Sequence, residues 1–341
     1  MNQVPKVLIC TSFPDRINTN PGIRHSLALG FAEVLGAEAV QESGFMAVLA
    51  AAQAFRPDLL VAVGSCMPKE CDYLAWRRYC DRTGCRFLFW LTDDPYEFDF
   101  DWKVTGLADL LFSSDANSVL LHERPDIVHL PLAASPHLHW REVSRDLDAD
   151  LFFCGVAFAN RQRLLRACEP HLAGYRVEVS GAWWPKDMPL ARNQRLSVER
   201  ICDRYNHARL TLNLGRSLDL ANNHFALAPT TPGPRTFEAA LAGAVQAFHA
   251  DGLEIVDYLE PGREILLFDT PLELAMLIEE LRDDPERRHA IACASQQRCL
   301  AEHTYARRAR AMLDACRLSP AFDQHGVGAA TGVRNLGAAF V

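Results

Sequence analysis

The stretch Pro232-Gly-Pro-Arg-Thr-Phe-Glu238 continues through Ala240-Leu-Ala-Gly-Ala-Val-Gln-Ala-Phe248 and closes at His303-Thr304-Tyr305. Its proline and glycine stiffen a loop that delivers an arginine and a glutamate into the first turn of a helix. Unpaired backbone N–H groups and the macrodipole point outward at such a start, so with Arg235 beside it the turn suits an anionic phosphate. Glu238, one turn in, is placed to accept two hydrogen bonds from the vicinal hydroxyls of a ribose. Arginine for phosphate and glutamate for sugar hydroxyls read together as a nucleotide-diphosphate site. An ordinary first turn with a surface charge pair fits the same residues equally well, because acidic residues are favoured there anyway.

Outward from that stretch, short apolar runs alternate with amphipathic segments. Upstream, Asp150 to Phe158, Tyr175 to Ser180 and Leu210 to Leu214 read as strands, with helices at 160–172 and 197–207. Downstream, the helix at 235–243 leads into strands at Val245 to His249 and Glu264 to Phe268. The next helix opens on a capping box, Thr270-Pro-Leu-Glu273, and helices at about 285–302 and 304–317 follow. The first half repeats the pattern. Val7 to Thr11, Asp58 to Gly64, Arg86 to Leu91, Asp109 to Ser113 and Asp126 to Pro131 read as strands. Helical patterns lie at 22–35, 43–55, 69–82 and 115–122.

Continuous apolar strands separated by helices argue for parallel sheets covered on both faces. The expected fold class is α/β, with two Rossmann-like βα domains facing a cleft. An N-terminal, acceptor-side domain spans 1–134, a linker of mixed charge and no clear period spans 135–149, and a nucleotide-sugar-binding domain spans 150–318. A flexible tail rich in Gly and Ala occupies 319–341. Ligands of such sheets sit at the carboxyl ends of the strands, so the site is expected in the interdomain cleft.

Composition narrows the function classes. Of 341 residues, 49% are hydrophobic and 23% charged, the mix of an ordinary soluble globular chain. A net charge of -8 disfavours a duplex nucleic-acid binder, and no nucleic-acid groove is expected. The N-terminus runs straight into a short apolar strand, without the apolar core and cleavage site of a signal peptide. No apolar run approaches the ~20 residues of a membrane span, and the expected location is cytoplasmic. The eleven cysteines include no Cys-x-x-Cys, and Cys10, Cys154 and Cys293 sit inside apolar runs, as reduced thiols used in packing would. A zinc site from Cys66, Cys71, Cys80 and Cys85 would find no histidine between Cys66 and Cys85.

Several short pieces now fall into one order. They are Trp90-Leu-Thr-Asp-Asp-Pro95, Asp115, Leu130-Pro-Leu-Ala-Ala134, Phe153-Cys-Gly155 with Arg161, and Arg235-Thr-Phe-Glu-Ala239. Gly243, Glu264, the capping-box helix and His303-Thr-Tyr-x-x-Arg308 complete the set. In this order and spacing the chain resembles the CgeB-like glycosyltransferases, a spore-maturation family of the B-type glycosyltransferase (GT-B) fold. The resemblance covers about 85–318 and is much weaker before that. It implies transfer of a sugar from a nucleotide-sugar donor, held mainly by the second domain, to an acceptor approached from the first. The acceptor, whether protein, glycan or small molecule, is not indicated. Such a fold commonly needs no bound metal, so neither metal nor other cofactor is expected.

The residue chemistry agrees where the two can be compared. Gly155 closes the first strand of the second domain and Arg161 opens the following helix, which together make a phosphate seat. Arg161 reads equally as a solvated helix residue, and the resemblance favours the diphosphate role. Asp93 and Asp94 end the strand Phe87-Leu-Phe-Trp-Leu91 and face the cleft. A carboxylate there can take the proton of an acceptor hydroxyl, and Asp94 is the preferred base. The alternative is an Asx turn closed by Pro95. Asp99-Phe-Asp101, a triplet that binds metal in another glycosyltransferase fold, reads here as a solvated loop. Many retaining B-type enzymes carry a second glutamate eight residues before the ribose-binding one. Here that residue is Thr230. The glycine-rich loop after the first strand is replaced by Ser12-Phe-Pro-Asp-Arg16, and His303 reads as a structural cap. A nucleotide-sugar epimerase of the same fold, or a non-catalytic sensor or partner subunit, is the rival reading.

Overall fold

A computed structural model describes residues 4–15, 20–66, 72–217, 220–249 and 254–318. The tail expected at 319–341 and Cys71 lie outside the described residues. Strands β1 (Val7–Thr11), β2 (Val40–Ser43), β3 (Leu59–Gly64), β4 (Arg86–Leu91), β5 (Leu110–Ser113) and β6 (Val128–His129) form one sheet. Its order is β2-β1-β3-β4-β5-β6, and every described pairing is parallel. Helices α1 (Asn20–Leu35), α2 (Val48–Phe55), α3 (Tyr73–Thr83), α4 (Trp102–Thr105), α5 (Ala116–Leu121) and α6 (Pro136–His139) accompany it.

The second sheet contains β7 (Ala149–Val156), β8 (Val177–Ala182), β9 (Ala191–Arg192), β10 (Ala208–Asn213), β11 (Gln246–His249) and β12 (Leu266–Phe268). Its order is β12-β11-β10-β7-β8-β9, again parallel. Its helices are α7 (Ala159–Cys168), α8 (Val198–His207), α9 (Pro234–Leu241), α10 (Pro271–Asp283) and α11 (Pro285–Glu302), and a last helix is α12 (Tyr305–Leu318). This is the α/β fold of two Rossmann-like domains that the strand pattern implies.

The strands read as unbroken apolar runs because both faces of each sheet are covered. Val7, Ile9, Val61, Val63, Leu88 and Trp90 project into one core of the first domain. Their neighbours Leu8, Cys10, Leu60, Ala62, Phe87 and Phe89 project into another, with α2 and α3 residues. That alternation is the period of two of a pleated strand. β2 escaped the sequence reading for the opposite reason. Val-Gln-Glu-Ser is an edge strand with three half-exposed residues, so it carries no apolar run, and the helix expected from 43 starts only at Val48.

The terminal helix corrects the expected domain division. Tyr305, Ala309, Met312, Leu313 and Cys316 recur at helical spacing, and all five enter the core built on α1 and the first sheet. Residues 305–318 therefore complete the first domain rather than the second. Burying each large side chain there contributes about 1.5–3 kcal/mol. Gly30 permits the crossing: a Cβ at that position would lie 2.4 Å from the Tyr305 carbonyl carbon. The two chain connections between domains touch where this happens. Ala134 N–H donates to His303 O (3.0 Å) and Tyr305 N–H to Ala134 O (3.1 Å). Buried Arg308 fastens the crossing by donating to Pro131 O, Leu132 O and Glu302 O. The motif His303-Thr-Tyr-x-x-Arg308 is thus the knot between the domains.

Strand order reverses between β1 and β3 in the first sheet and between β10 and β7 in the second. Crevices outside the carboxyl ends of strands at such points are where ligands of open α/β sheets bind.

Candidate functional site

The rim contributed by the second domain is built at its reversal point. Gly155, near the end of β7, leaves room for two cations: a Cβ there would lie 3.0 Å from Arg161 Nη1 and 3.4 Å from Arg235 Nη2. Both guanidinium groups also lie over the Phe153 ring, at 5.6 Å and 5.7 Å. Their roles differ. Arg161 is buried, and its Nε donates to Gly215 O (2.9 Å), its Nη1 to Val156 O (3.0 Å) and its Nη2 to Leu214 O (3.0 Å). Burial, and then the neighbouring Arg235, push its pKa down. Arg161 therefore braces the ends of β7 and β10 together with three of its five N–H donors, a structural task that the sequence reading of a diphosphate contact did not include.

Arg235 and Glu238 open α9, whose N-cap Gly233 supplies no side-chain cap. The Glu238 side chain is 32% exposed, with His139 Nε2 at 3.8 Å. His139 is buried and accepts from Ser135 N–H through Nδ1 (3.0 Å), which places the neutral ring's proton on Nε2, toward Glu238. His139 sits in the segment expected to be a linker, and only the Ser-Pro helix start at 135–136 marked it. Trp183 was also missed. It follows β8 with its side chain 70% exposed and its φ at 66°, a left-handed conformation that bulky residues rarely adopt. Such outliers concentrate at ligand clamps.

On the first-domain rim the two aspartates after β4 part company. Asp93 keeps 22% of its side chain exposed, with Arg216 Nη1 3.5 Å away across the cleft and Asn20 Nδ2 donating at 3.4 Å. Burial pushes its carboxyl pKa up, Arg216 and Asn20 hold it back, and Asp94 adds to the rise. Asp94 turns inward: its side chain is 1% exposed and accepts a 2.5 Å hydrogen bond from Ser113 Oγ. That burial speaks against the preference for Asp94 as the base, and of the pair it is Asp93 whose carboxylate reaches the cleft.

The triplet Asp99-Phe-Asp101 is not a solvated loop. Asp101 is buried, and Asp99 accepts from the N–H groups of Asn223 (2.8 Å), His224 (3.1 Å) and Phe225 (3.4 Å). Asp99 is held by a strap, the described residues 214–217 and 220–233 between β10 and α9, which pair with the first domain. Leu220 and Ala221 N–H donate to Tyr96 O, and Asp99 N–H donates back to Ala221 O (2.8 Å). Asp115, buried, accepts from the N–H groups of Thr230 (2.7 Å) and Thr231 (3.0 Å) while capping α5 through Ser118 N–H. Thr230, the position of a glutamate in many retaining enzymes, is committed to this clamp. The strap thus begins with Arg216 at Asp93 and ends by delivering Arg235 and Glu238.

His303 stacks on Phe237, with ring centroids 4.6 Å apart, and burial with Arg308 nearby lowers its pKa to about 4. It is a structural residue. Nine of the ten described cysteines are buried. No described helix is long and apolar enough to cross a membrane.

A family model described as glycosyl transferase-like matches residues 161–314. Spore protein CgeB of Bacillus subtilis (strain 168) is 26% identical over 210 residues, a match covering 57% of this chain and 64% of that protein. The chain is CgeB-like. AviGT4, a glycosyltransferase involved in avilamycin A biosynthesis, superposes at a TM-score of 0.62 with 14% identity, covering 92% of this chain and 98% of that one. Anabaena Alr3699/HepE, crystallised with UDP-glucose, gives a TM-score of 0.59 with 10% identity over 91% of this chain and 99% of its own. At these identities the likeness is one of fold, and that fold is the B-type. The family match lies mostly on the second domain, where the Arg235–Glu238 turn sits, and includes most of α12, which packs on the first.

Proposed function

We propose that the CgeB-like chain transfers a sugar from a nucleoside-diphosphate sugar to an acceptor hydroxyl or side chain, without a metal at the diphosphate. The observation that carries this reading is the opposition across the cleft of Asp93 and a cationic turn, joined by Arg216. Glu238 would hold the ribose hydroxyls, Trp183 would stack on the base, and Arg235 with the uncapped start of α9 would take the diphosphate. Asp93, its pKa raised toward working pH, would accept the acceptor proton as the acceptor oxygen bonds to the anomeric carbon. The bond from that carbon to the diphosphate breaks with its electron pair on the leaving oxygen. Preorganised cations stabilise the charge that develops there. Because Arg216 already pairs with Asp93, an arriving diphosphate would draw it away and release the carboxylate to act as base.

The test is a thermal-shift panel of nucleotide sugars, starting with UDP-sugars because HepE was crystallised with UDP-glucose. A ligand at 100 times its dissociation constant stabilises by about 2.7 kcal/mol. Stabilisation by a nucleotide sugar, followed by release of nucleoside diphosphate only when an acceptor is added, is the expected result. A panel with no shift for any nucleotide sugar sinks the reading. Conversion of the sugar itself without an acceptor would move the chain to the epimerases.

A further inference from the structure

One polar cluster of the first domain is not used by the proposed transfer. Asp94 ends the turn after β4, Asp101 precedes α4, and His122 follows α5, yet one ligand atom from each lies within 4.8 Å of the others. His122 Nε2 is 3.4 Å from Asp101 Oδ2 and 3.9 Å from Asp94 Oδ2, and the three side chains are 4% exposed or less. Ser113 satisfies part of Asp94, but Asp101 Oδ2 and His122 Nε2 are buried with no hydrogen-bond partner. The Glu97 Oε2 atom, also buried and unpartnered, adds acceptor capacity without a donor. Phe98 closes the cluster from outside, its ring edge-on to His122 at 4.8 Å and to Phe225 of the strap at 4.9 Å.

Two buried carboxylates and an imidazole whose hydrogen bonding is only partly satisfied are costly unless a proton or a cation sits among them. The nearby side-chain cations are directed to neighbouring groups, Arg216 to Asp93 (3.5 Å) and Lys103 to the Cys66 carbonyl (2.8 Å). Bonds of about 2.0–2.2 Å from oxygen and nitrogen to a small cation gather ligand atoms to roughly this spacing. We propose that Asp94, Asp101 and His122 form a binding site for one divalent first-row transition-metal ion, zinc by preference, which pins the floor on which the strap lies. An imidazole suits zinc and its neighbours better than magnesium or calcium, which take oxygen ligands in greater number. The closed, aromatic-covered setting matches a structural ion rather than one that meets substrate. This site is distinct from the expected absence of metal at the diphosphate, and it does not depend on the transfer reading. Metal content is blind to Arg235 and Glu238, and donor binding through those residues is blind to the cluster.

The experiment is elemental analysis of the full chain, purified without a metal-affinity step and incubated with excess zinc, manganese or cobalt before desalting. Expected is about one ion per chain in wild type, with a thermal midpoint that falls on prolonged chelation and recovers with zinc. Asp101→Asn and His122→Ala should each lose the ion and the zinc response. Should either variant fail to fold, cobalt-grown wild type decides, through the visible absorption of a bound cobalt ion that zinc displaces. Wild type that takes up no ion from any of the three metals overturns the proposal and leaves the three groups held by shared protons. An ion kept in full by both folded variants overturns it too, since the metal would then lie elsewhere.

Discussion

On the second-domain rim a buried arginine finds every partner it needs, whereas on the first-domain rim buried carboxylates do not. Arg161 donates to three backbone carbonyls through all three of its nitrogens; Arg288 also donates to three, Ser144 O, Asn206 O and Ala208 O, but its buried Nε is left without one. Carbonyls left over at strand ends and turns supply such acceptors readily, and a guanidinium carries five donors in a fixed fork. A carboxylate instead needs N–H or O–H donors. Asp99 and Asp115 obtain theirs from the strap backbone, Asp94 obtains one from Ser113, and Asp101 and Glu97 each keep an oxygen without a partner. The comparison teaches that a cation can be buried in this fold as a brace. A buried carboxylate stays costly and reactive unless the strap or a cation reaches it.

The largest expected effect tests the split of the aspartate pair. Asp93→Asn should lower transfer by about 10²–10⁴-fold, the usual contribution of a positioned acid–base group, with donor affinity nearly intact by calorimetry. Asp94→Asn should instead lower the thermal midpoint and leave the turnover of the folded fraction close to wild type. Full activity in Asp93→Asn beside a dead but stable Asp94→Asn would reverse the assignment.

Next in size are opposite pH slopes. Burial, with Asp93 nearby, raises Glu97 to about 8 from the ordinary carboxylate range near 4.5. The folded state then binds more protons than the unfolded one between these values, so stability falls as pH rises from about 4.5 to 8. His303, lowered to about 4 from 6.5, works the other way. Its contribution is present above about 6.5 and is lost as pH falls toward 4, by roughly 3 kcal/mol in all. Denaturant midpoints across this range should show Glu97→Gln flattening the alkaline slope and leaving the acid one. An unchanged alkaline slope would mean that Glu97 is charged in the folded protein.

The smallest effects sort the donor contacts on the opposite rim. Arg235→Ala should weaken nucleoside-diphosphate binding by about 1.5–3 kcal/mol while sparing the bare nucleoside, as expected for a hydrogen bond to a charged group. Trp183→Ala should cost both ligands alike by about 1–3 kcal/mol, the scale of base stacking on an aromatic ring. Equal losses for both ligands in Arg235→Ala would show that the arginine acts through folding, and an unchanged nucleoside affinity in Trp183→Ala would remove it from the base.

What the sequence determined by itself is local. Apolar runs such as Val7–Thr11 and Arg86–Leu91 became strands at those very bounds, and Thr270-Pro-Leu-Glu273 caps its helix through both hydrogen bonds of the box. Their periods and caps involve neighbours within a few residues, which any sequence displays. The turn that brings Arg235 and Glu238 to the start of a helix is local in the same way. Only the tertiary structure decided what distant partners do with such residues. The alternation of strand faces stops at Leu91, so nothing in Asp93-Asp94 showed which side chain meets the cleft. Arg161 became a brace because Gly215 and Leu214, more than fifty residues away, bring their carbonyls to it. Tyr305–Leu318 crossed to the first domain because its apolar stripe fits α1 at Gly30, and Asp99 was drawn into hydrogen bonds because the strap came down on it. Each of these outcomes rests on contacts between remote segments, and a pattern read along the chain carries no record of them.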